Sequence, residues 1–195
     1  MSSTGAAPQG QLIEELRDYC EQIDNIKEDA QEIAATLTNQ QFNWRPGPGH
    51  WSISECLVHL NTFGTFSLSL RDDIERARRA GLLGQGPFRY GFLSRKFVAL
   101  TEPPVKIRVK APKQFVPPPD QSKELVIPEF LSIHDRLLEI IHSANGLDLA
   151  RVKVPAPFSN AFKLSLGQRF AQLAAHDRRH LWQAWQVRKH PNFPC

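Results

Sequence analysis

Residues 51–60 read Trp-Ser-Ile-Ser-Glu-Cys-Leu-Val-His-Leu and predict the start of a long helix. Ser52 and Glu55 stand three residues apart, which is the spacing of a capping box at a helix N-terminus. From there to about residue 80, mostly apolar residues share one helical face, and Gly81 ends the pattern. The residues on that face are Ile53, Cys56, His59, Phe63, Phe66, Leu70 and Ile74. This helix is therefore expected to bury one histidine, His59, near the centre of its apolar face.

Three further amphipathic helices are predicted from the same kind of periodicity. Apolar or small residues recur at three- and four-residue steps over residues 11 to about 38, over residues 122–144 and over residues 165 to about 189. Ser165 and Gln168 form a second candidate capping box at the start of the last helix. Four long helices of this kind predict an all-α fold, a four-helix bundle.

The segments between these helices are rich in Pro and Gly. Residues 39–50 cannot continue a regular element and are predicted to form a loop. Residues 82–121 are predicted to form a long crossover between helices two and three, with a short helical piece around residues 92–100 and extended coil at residues 105–109. A crossover of this length allows the third helix to start at either end of the bundle.

Composition and charge exclude several classes of protein. The chain is 41% hydrophobic and 23% charged, and no stretch of about 18 apolar residues could span a membrane. Lys and Arg number 24 against 20 Asp and Glu, a mixed surface that argues against nucleic-acid binding despite the net charge of +4. Residues 1–10 are expected to be flexible and lack the pattern of a secretory signal, and the three cysteines do not suggest a disulfide framework. We expect a single cytoplasmic domain, residues 1–195, with reduced thiols and no membrane or nucleic-acid partner.

Histidines on two of the predicted helices indicate a metal site. His176 and His180 stand four residues apart on the last helix, so both imidazoles lie on one face, at the edge of its apolar stripe. His59 faces inward from the second helix, where a buried imidazole needs a partner for each nitrogen. Three such histidines can share one divalent cation and leave further coordination positions open, as catalytic metal sites do. An imidazole-rich set suits Zn, Ni, Fe or Co and disfavours Mg or Ca.

Two features narrow the chemistry of this site. Asp177 and Arg178 follow His176, so the glutamate of an H-E-x-x-H motif is missing and zincin-type proteolysis is not expected. Cys56 lies one turn before His59 and is either a fourth ligand or, as we prefer, a small buried core residue.

Two acidic residues near the predicted ligands are candidates for supporting roles. Asp177 points toward the apolar stripe and, as a buried carboxylate, needs a partner. It either orients a ligand histidine or, in the favoured interpretation, pairs with an arginine such as Arg45 or Arg169. Glu55, one turn before His59, belongs to the capping box or supports that histidine.

Substrate contacts are predicted for Arg169, Gln183 and Phe63. Arg169 and Gln183 lie on the ridge of the last helix that carries its two histidines, and they would flank a bound metal. Surface or interface roles are the alternative for both. Phe63 lies on the buried face of the second helix. His134 and His142, eight residues apart on the third helix, need no special explanation.

A resemblance to a known family rests on Arg45-Pro46, on the string from Trp51 to Leu60, and on the pair His176 and His180 followed by Gln183. These motifs resemble the DinB/YfiT-like superfamily, whose members are regarded as metalloenzymes. The resemblance covers nearly the whole chain and implies a four-helix bundle with up-down-down-up topology, which fits the long crossover. It also implies that the metal is held by His59, His176 and His180, and that the protein is a homodimer.

The function that this resemblance implies is a metal-dependent one. Relatives include S-transferases that use the thiols bacillithiol or mycothiol, isomerases that act with such thiols, and many proteins without an established reaction. We therefore expect one divalent transition metal per chain, Zn or Ni, which activates a low-molecular-weight thiol for attack on a small electrophile. The alternatives are a hydrolase that uses a metal-activated water and a non-catalytic bundle that binds a metal or ligand.

Overall fold

The protein is described by a computed structural model that covers residues 11–104, 110–157 and 159–195. Its fold is mostly helical, with a small two-stranded sheet. The predicted flexible residues 1–10 and the predicted coil at residues 105–109 lie outside the described residues. In chain order the elements are α1 (Glu14–Ala34), α2 (Asn39–Phe42), α3 (Ile53–Ser67), α4 (Leu70–Arg79), α5 (Phe92–Thr101), the 3₁₀ turn Lys113–Phe115, α6 (Lys123–Ser143), β1 (Lys153–Ala156), β2 (Ser159–Ser165) and α7 (Leu166–Arg188).

Four long helices enclose one hydrophobic core. Helix α1 packs against α6 and α7, and α3 packs against the same two helices. The inward faces follow the predicted three- and four-residue steps, as the buried residues of α1 show: Leu16, Tyr19, Ile23, Ile26, Ala30, Ile33 and Ala34. Lys27, a polar residue on this helix, reaches across to Asp135 of α6 at 2.6 Å. The arrangement places α3 and α7, the two helices that carry the predicted metal ligands, in direct contact.

The predicted second helix is two helices in the structure. Helix α3 ends at Ser67 and α4 begins at Leu70, so the prediction of one continuous helix to about residue 80 was wrong. The Ser67 hydroxyl donates to the Phe63 carbonyl at 2.8 Å, and the Ser69 hydroxyl donates to the Phe66 carbonyl at 2.9 Å. Serine hydroxyls that bond nearby carbonyls compete with the helical backbone pattern, which accounts for a break at this place.

A short hairpin precedes α7 and was not predicted. Strand β1 pairs antiparallel with β2, with Val154 opposite Leu164, and the register shifts between Pro155 and Ala156. We expected a loop here because Pro155 and Pro157 interrupt the segment. The purely all-α prediction was therefore wrong in this detail, although the long helices make up most of the fold.

The two predicted capping boxes have different outcomes. At α3 the box is present: the Glu55 amide donates to Ser52 Oγ at 3.1 Å, and the Ser52 amide donates to Glu55 Oε2 at 3.0 Å. At α7 the Ser165 side chain makes no capping hydrogen bond, so the second prediction was wrong. Instead, the first two amides of α7 donate to carbonyls of the segment before β1, those of Val152 at 2.9 Å and Leu149 at 3.1 Å.

The segments that connect the long helices contain one short helix that was not predicted and one that was. Residues 39–50 contain the one-turn helix α2, which opens with a capping box between Thr38 and Gln41. In the long crossover, the predicted helical piece is confirmed as α5, which packs on α7. The 3₁₀ turn farther along contacts α3 and brings Phe115 beside the predicted ligands. Among the described residues, no helix combines the length and apolarity needed to cross a membrane.

Candidate metal centre

Three histidines from two helices converge between α3 and α7. His59 lies in the middle of α3, and His176 and His180 lie one turn apart on α7. One nitrogen of each ring lies within 4.8 Å of the others, and the Nε2 atoms of His59 and His176 are 3.3 Å apart. Nitrogens bound at about 2.0–2.1 Å to one tetrahedral zinc ion stand roughly 3.3–3.4 Å apart, so the separation between His59 and His176 fits a shared metal ion.

In His59 and His180, the Nδ1 atom, which faces away from the other two histidines, lies beside an oxygen acceptor that sets the tautomer of the ring. His59 Nδ1 lies 2.7 Å from the Phe115 carbonyl oxygen, and His180 Nδ1 lies 3.1 Å from Gln183 Oε1. A carbonyl oxygen only accepts, so each Nδ1 carries the proton and donates it. The Nε2 atoms of both rings are then left with lone pairs for a metal.

His176 is held in a different way. Its Nδ1 atom is buried, has no hydrogen-bond partner among the residues that the structure describes, and lies 3.9 Å from Asp177 Oδ1. The other carboxylate oxygen of Asp177 lies 3.1 Å from His134 Nε2, and His134 Nδ1 lies 2.8 Å from the Phe130 carbonyl oxygen. A carboxylate beside the outer nitrogen again places the proton on Nδ1 and the lone pair on Nε2.

The neutral rings of His59, His176 and His180 therefore direct their Nε2 lone pairs, which are hydrogen-bond acceptors, toward one another. Lone pairs that face each other at 3.3 Å repel unless a proton or a cation lies between them. The donor set consists of histidine nitrogens alone, which suits Zn or Ni. The residues fit a divalent transition metal.

Burial keeps all three histidines in the unprotonated form that a metal requires. Burial lowers the pKa of His59 to about 4, with a smaller effect of the neighbouring His176. Burial is also the main cause that lowers the pKa of His176 and of His180. Neutral imidazoles at pH 7 need no proton release before they bind a cation.

Asp177 stays ionised in spite of its burial. Its side chain is 1% exposed, and burial alone would raise the pKa of the carboxyl. The imidazoles of His134 and His176 outweigh this effect and hold the pKa of Asp177 below its usual value. Of the two predicted roles, the structure places Asp177 beside a histidine of the centre, while Arg169 interacts with Asp177 electrostatically and Arg45 pairs with Glu55.

Sequence reasoning missed His134. It is 0% exposed on α6, one turn after Phe130, and its ring stacks on that phenylalanine with centroids 3.8 Å apart. A signal was available: His134 follows directly on Ile133, which lies on the apolar face of the third helix, and the buried carboxylate of Asp177 needed a donor.

Aromatic rings pack around the histidines. Trp51 lies 5.0 Å from the His59 ring and 5.6 Å from the His180 ring, measured between centroids. Phe63 stacks on His176 with centroids 4.0 Å apart. Its predicted role as a substrate contact stays a prediction, and in the structure it fixes the plane of a histidine.

The remaining predicted residues have other partners. Glu55 belongs to the capping box and forms an ion pair with Arg45 at 2.5 Å. Gln183 contacts His180, as described above. Cys56 is fully buried in the core, and burial raises the pKa of its thiol, which agrees with the core interpretation.

Arg169 lies deep in the protein, on the same helix as two of the histidines. Its side chain is 1% exposed, and its guanidinium donates to Ser67 Oγ at 2.6 Å and to Gln172 Oε1 at 2.8 Å. It also lies over the Phe63 ring, 5.2 Å from the centroid. Burial lowers the pKa of Arg169 to about 10, which leaves it charged at neutral pH. Substrate contact by Arg169 stays a prediction, because the hydrogen bonds seen here go to protein groups.

Comparison with known proteins yields one match. The family model described as the DinB superfamily matches residues 22–184, a range that contains all of α3 and nearly all of α7 up to Ala184, with the three histidines between them. No curated protein and no solved structure matches the chain.

Proposed function

Because the chain belongs to the DinB superfamily, we propose that it is a metal-dependent enzyme that transfers a low-molecular-weight thiol to a small electrophile. The observation that carries this proposal is the convergence of three neutral imidazoles, from His59, His176 and His180, within 4.8 Å. Three protein ligands leave coordination positions for a further group, as in catalytic rather than structural sites. We propose one Zn or Ni ion per chain.

The chemistry follows from what the residues of the chain do. His59, His176 and His180 would hold the ion, and Gln183, Asp177 and the Phe115 carbonyl orient their rings. When bound, the cation would lower the pKa of a thiol at an open position, so that the thiolate forms at neutral pH. Transfer would form a bond between the thiol sulfur and the electrophilic carbon, with the thiol proton released to solvent and the leaving group departing with its bonding electrons. The aromatic rings of Trp51 and Phe63 limit water beside the histidines.

The bundle topology, the cellular location and the oligomeric state are also proposals. The long crossover before α6 and the packing of α1 and α3 against both α6 and α7 support a four-helix bundle with up-down-down-up topology. We further propose a cytoplasmic homodimer that acts on small molecules rather than on nucleic acid.

Metal content tests the ligand assignment. We expect about one Zn or Ni per chain in the wild-type protein by elemental mass spectrometry, and loss of that metal in His59→Ala and His176→Ala. His142→Ala is the matched control, because His142 is exposed on α6. Full metal occupancy in His59→Ala would overturn the assignment.

Activity tests the reaction class. The wild-type protein should join a low-molecular-weight thiol to an aryl chloride with release of chloride, and His59→Ala should lose that activity. Hydrolysis of an ester in the absence of thiol would favour the hydrolase alternative. A metal-loaded protein without either activity would favour a binding function.

A further inference from the structure

His134 is a fully buried polar side chain on α6, the helix that contributes no predicted metal ligand. Its two nitrogens have well-defined neighbours. Nδ1 lies 2.8 Å from the Phe130 carbonyl oxygen. Nε2 lies 3.1 Å from Asp177 Oδ2. With the Phe130 ring stacked on its face, the His134 imidazole has one possible orientation.

Asp177 is the group that His134 holds. The carboxylate is 1% exposed, so it depends on protein partners for its position. One oxygen meets His134, and the other lies 3.9 Å from His176 Nδ1. This separation is wider than a hydrogen bond, so the contact is electrostatic. The direction of the carboxylate decides which nitrogen of His176 keeps the proton.

We propose that His134 is a positioning residue of the metal centre. It fixes the plane of the Asp177 carboxylate, which in turn keeps the proton of His176 on Nδ1 and the Nε2 lone pair directed toward His59 and His180. This inference rests on the proposed metal centre. It adds a residue from a third helix, α6, so that the arrangement of the ligands on α3 and α7 depends on how α6 packs.

A purely structural role for His134 makes a different prediction. In that case the hydrogen bond between His134 and Asp177 only ties α6 to α7, and its loss lowers thermal stability without changing how tightly the folded protein binds metal. Metal affinity, measured well below the melting temperature, therefore separates the two roles. Groups that orient metal-bound histidines typically change metal affinity 10- to 100-fold when they are replaced.

The test compares Zn²⁺ affinity, by competition with a chromophoric chelator, in wild type, His134→Phe and His134→Gln. We expect His134→Phe to bind Zn²⁺ about 10- to 100-fold more weakly than wild type. His134→Gln keeps an amide donor for Asp177 and should lose less. His142→Gln, an exposed change on the same helix, should bind as wild type does. Co²⁺ loading gives a second readout, because a misplaced His176 should alter the visible absorption of the bound ion.

The outcomes separate the two proposals. Equal Zn²⁺ affinity in wild type and in folded His134→Phe would overturn the role of His134 and leave the metal centre intact. If His134→Phe does not fold, His134→Leu, which is smaller and also lacks a donor for Asp177, decides, and wild-type affinity in that variant would overturn the role. Failure of the wild-type protein to bind Zn²⁺ or Co²⁺ would overturn both the metal centre and the inference built on it.

Discussion

Two buried polar clusters lie seven residues apart on α7 and differ in what completes them. Around Arg169 the guanidinium donors meet protein acceptors on Gln172 and Ser67. Around His176, by contrast, imidazole nitrogens face one another, and no donor from the described part of the chain lies between them. Buried polar groups persist when they have partners, so the first cluster has acceptors within the chain, whereas the second has an arrangement that a bound cation would complete. The difference shows how a helix can carry a structural cluster and a ligand site at once.

The largest expected effect is at the complete cluster. Arg169→Ala removes a large buried side chain and leaves Ser67 and Gln172 without their donor, so we expect a loss of about 3 kcal/mol in the free energy of unfolding. For a chain of this size that corresponds to a melting temperature roughly 6 to 12 °C lower. Arg151→Ala, on the surface, is the control and should change stability by less than about 0.5 kcal/mol. An unchanged melting temperature in Arg169→Ala would contradict the structural role of the Arg169 cluster and hence its difference from the His176 cluster.

The second effect is stabilisation by metal. At a free Zn²⁺ concentration about 100 times the Kd, binding should stabilise the wild-type protein by about 2.7 kcal/mol. The melting temperature should then rise by roughly 5 to 10 °C in a thermal-shift assay. Arg169→Ala should keep this rise from a lower starting temperature, whereas His59→Ala should lose it. A rise that survives in His59→Ala would mean that the ion binds elsewhere.

The third effect is the pH dependence of the metal-free protein. The pKa of His59 is about 4 in the folded state, below its ordinary value of 6.5, so the unfolded chain binds a proton that the folded protein does not. The resulting loss of stability begins as the pH falls below 6.5 and is complete below pH 4. It should reach about 2 kcal/mol at pH 5. His59→Phe removes this titration, so its melting temperature should fall less between pH 7 and pH 5. Parallel curves for the two proteins would contradict a neutral, buried His59.

Periodicity predicted the four long helices because burial of one face leaves a clear pattern in the sequence. The α3 capping box was also visible, since each side chain accepts from the backbone amide of the other residue, three positions away in the chain. The absence of a capping box at Ser165 could not be predicted, because the first amides of α7 donate to the backbone carbonyls of Leu149 and Val152. The break after Ser67 depends on hydrogen bonds from serine hydroxyls to backbone carbonyls, which the periodicity of apolar residues does not reveal. Local signals predict elements, and their ends depend on tertiary partners.

The candidate site shows the same division. The convergence of His59 with the α7 pair could be predicted, because each histidine lies on or beside an apolar face of its helix. The position of His134 beside the apolar face of its helix could also be seen, but its pairing with Asp177 could not, because the two residues lie 43 positions apart on helices whose relative rotation no sequence pattern specifies. The sequence favoured an arginine partner for Asp177; in the structure the carboxylate contacts His134 directly, and Arg169 interacts with it electrostatically.

The smallest expected effect compares two glutamines, one in each cluster. Gln183 accepts a hydrogen bond from His180 Nδ1. Gln183→Leu should therefore weaken Zn²⁺ binding about 10-fold, or about 1.4 kcal/mol. It should barely change the melting temperature of the metal-free protein. Gln172 accepts from Arg169, so Gln172→Leu should lower that melting temperature and leave Zn²⁺ affinity unchanged. Gln186→Leu, exposed on the same helix, should change neither. A change in substrate KM with unchanged metal affinity in Gln183→Leu would instead support the predicted substrate contact. If both Gln183→Leu and Gln172→Leu moved the two measured quantities together, the clusters would form one coupled unit along α7 and the contrast between them would fail.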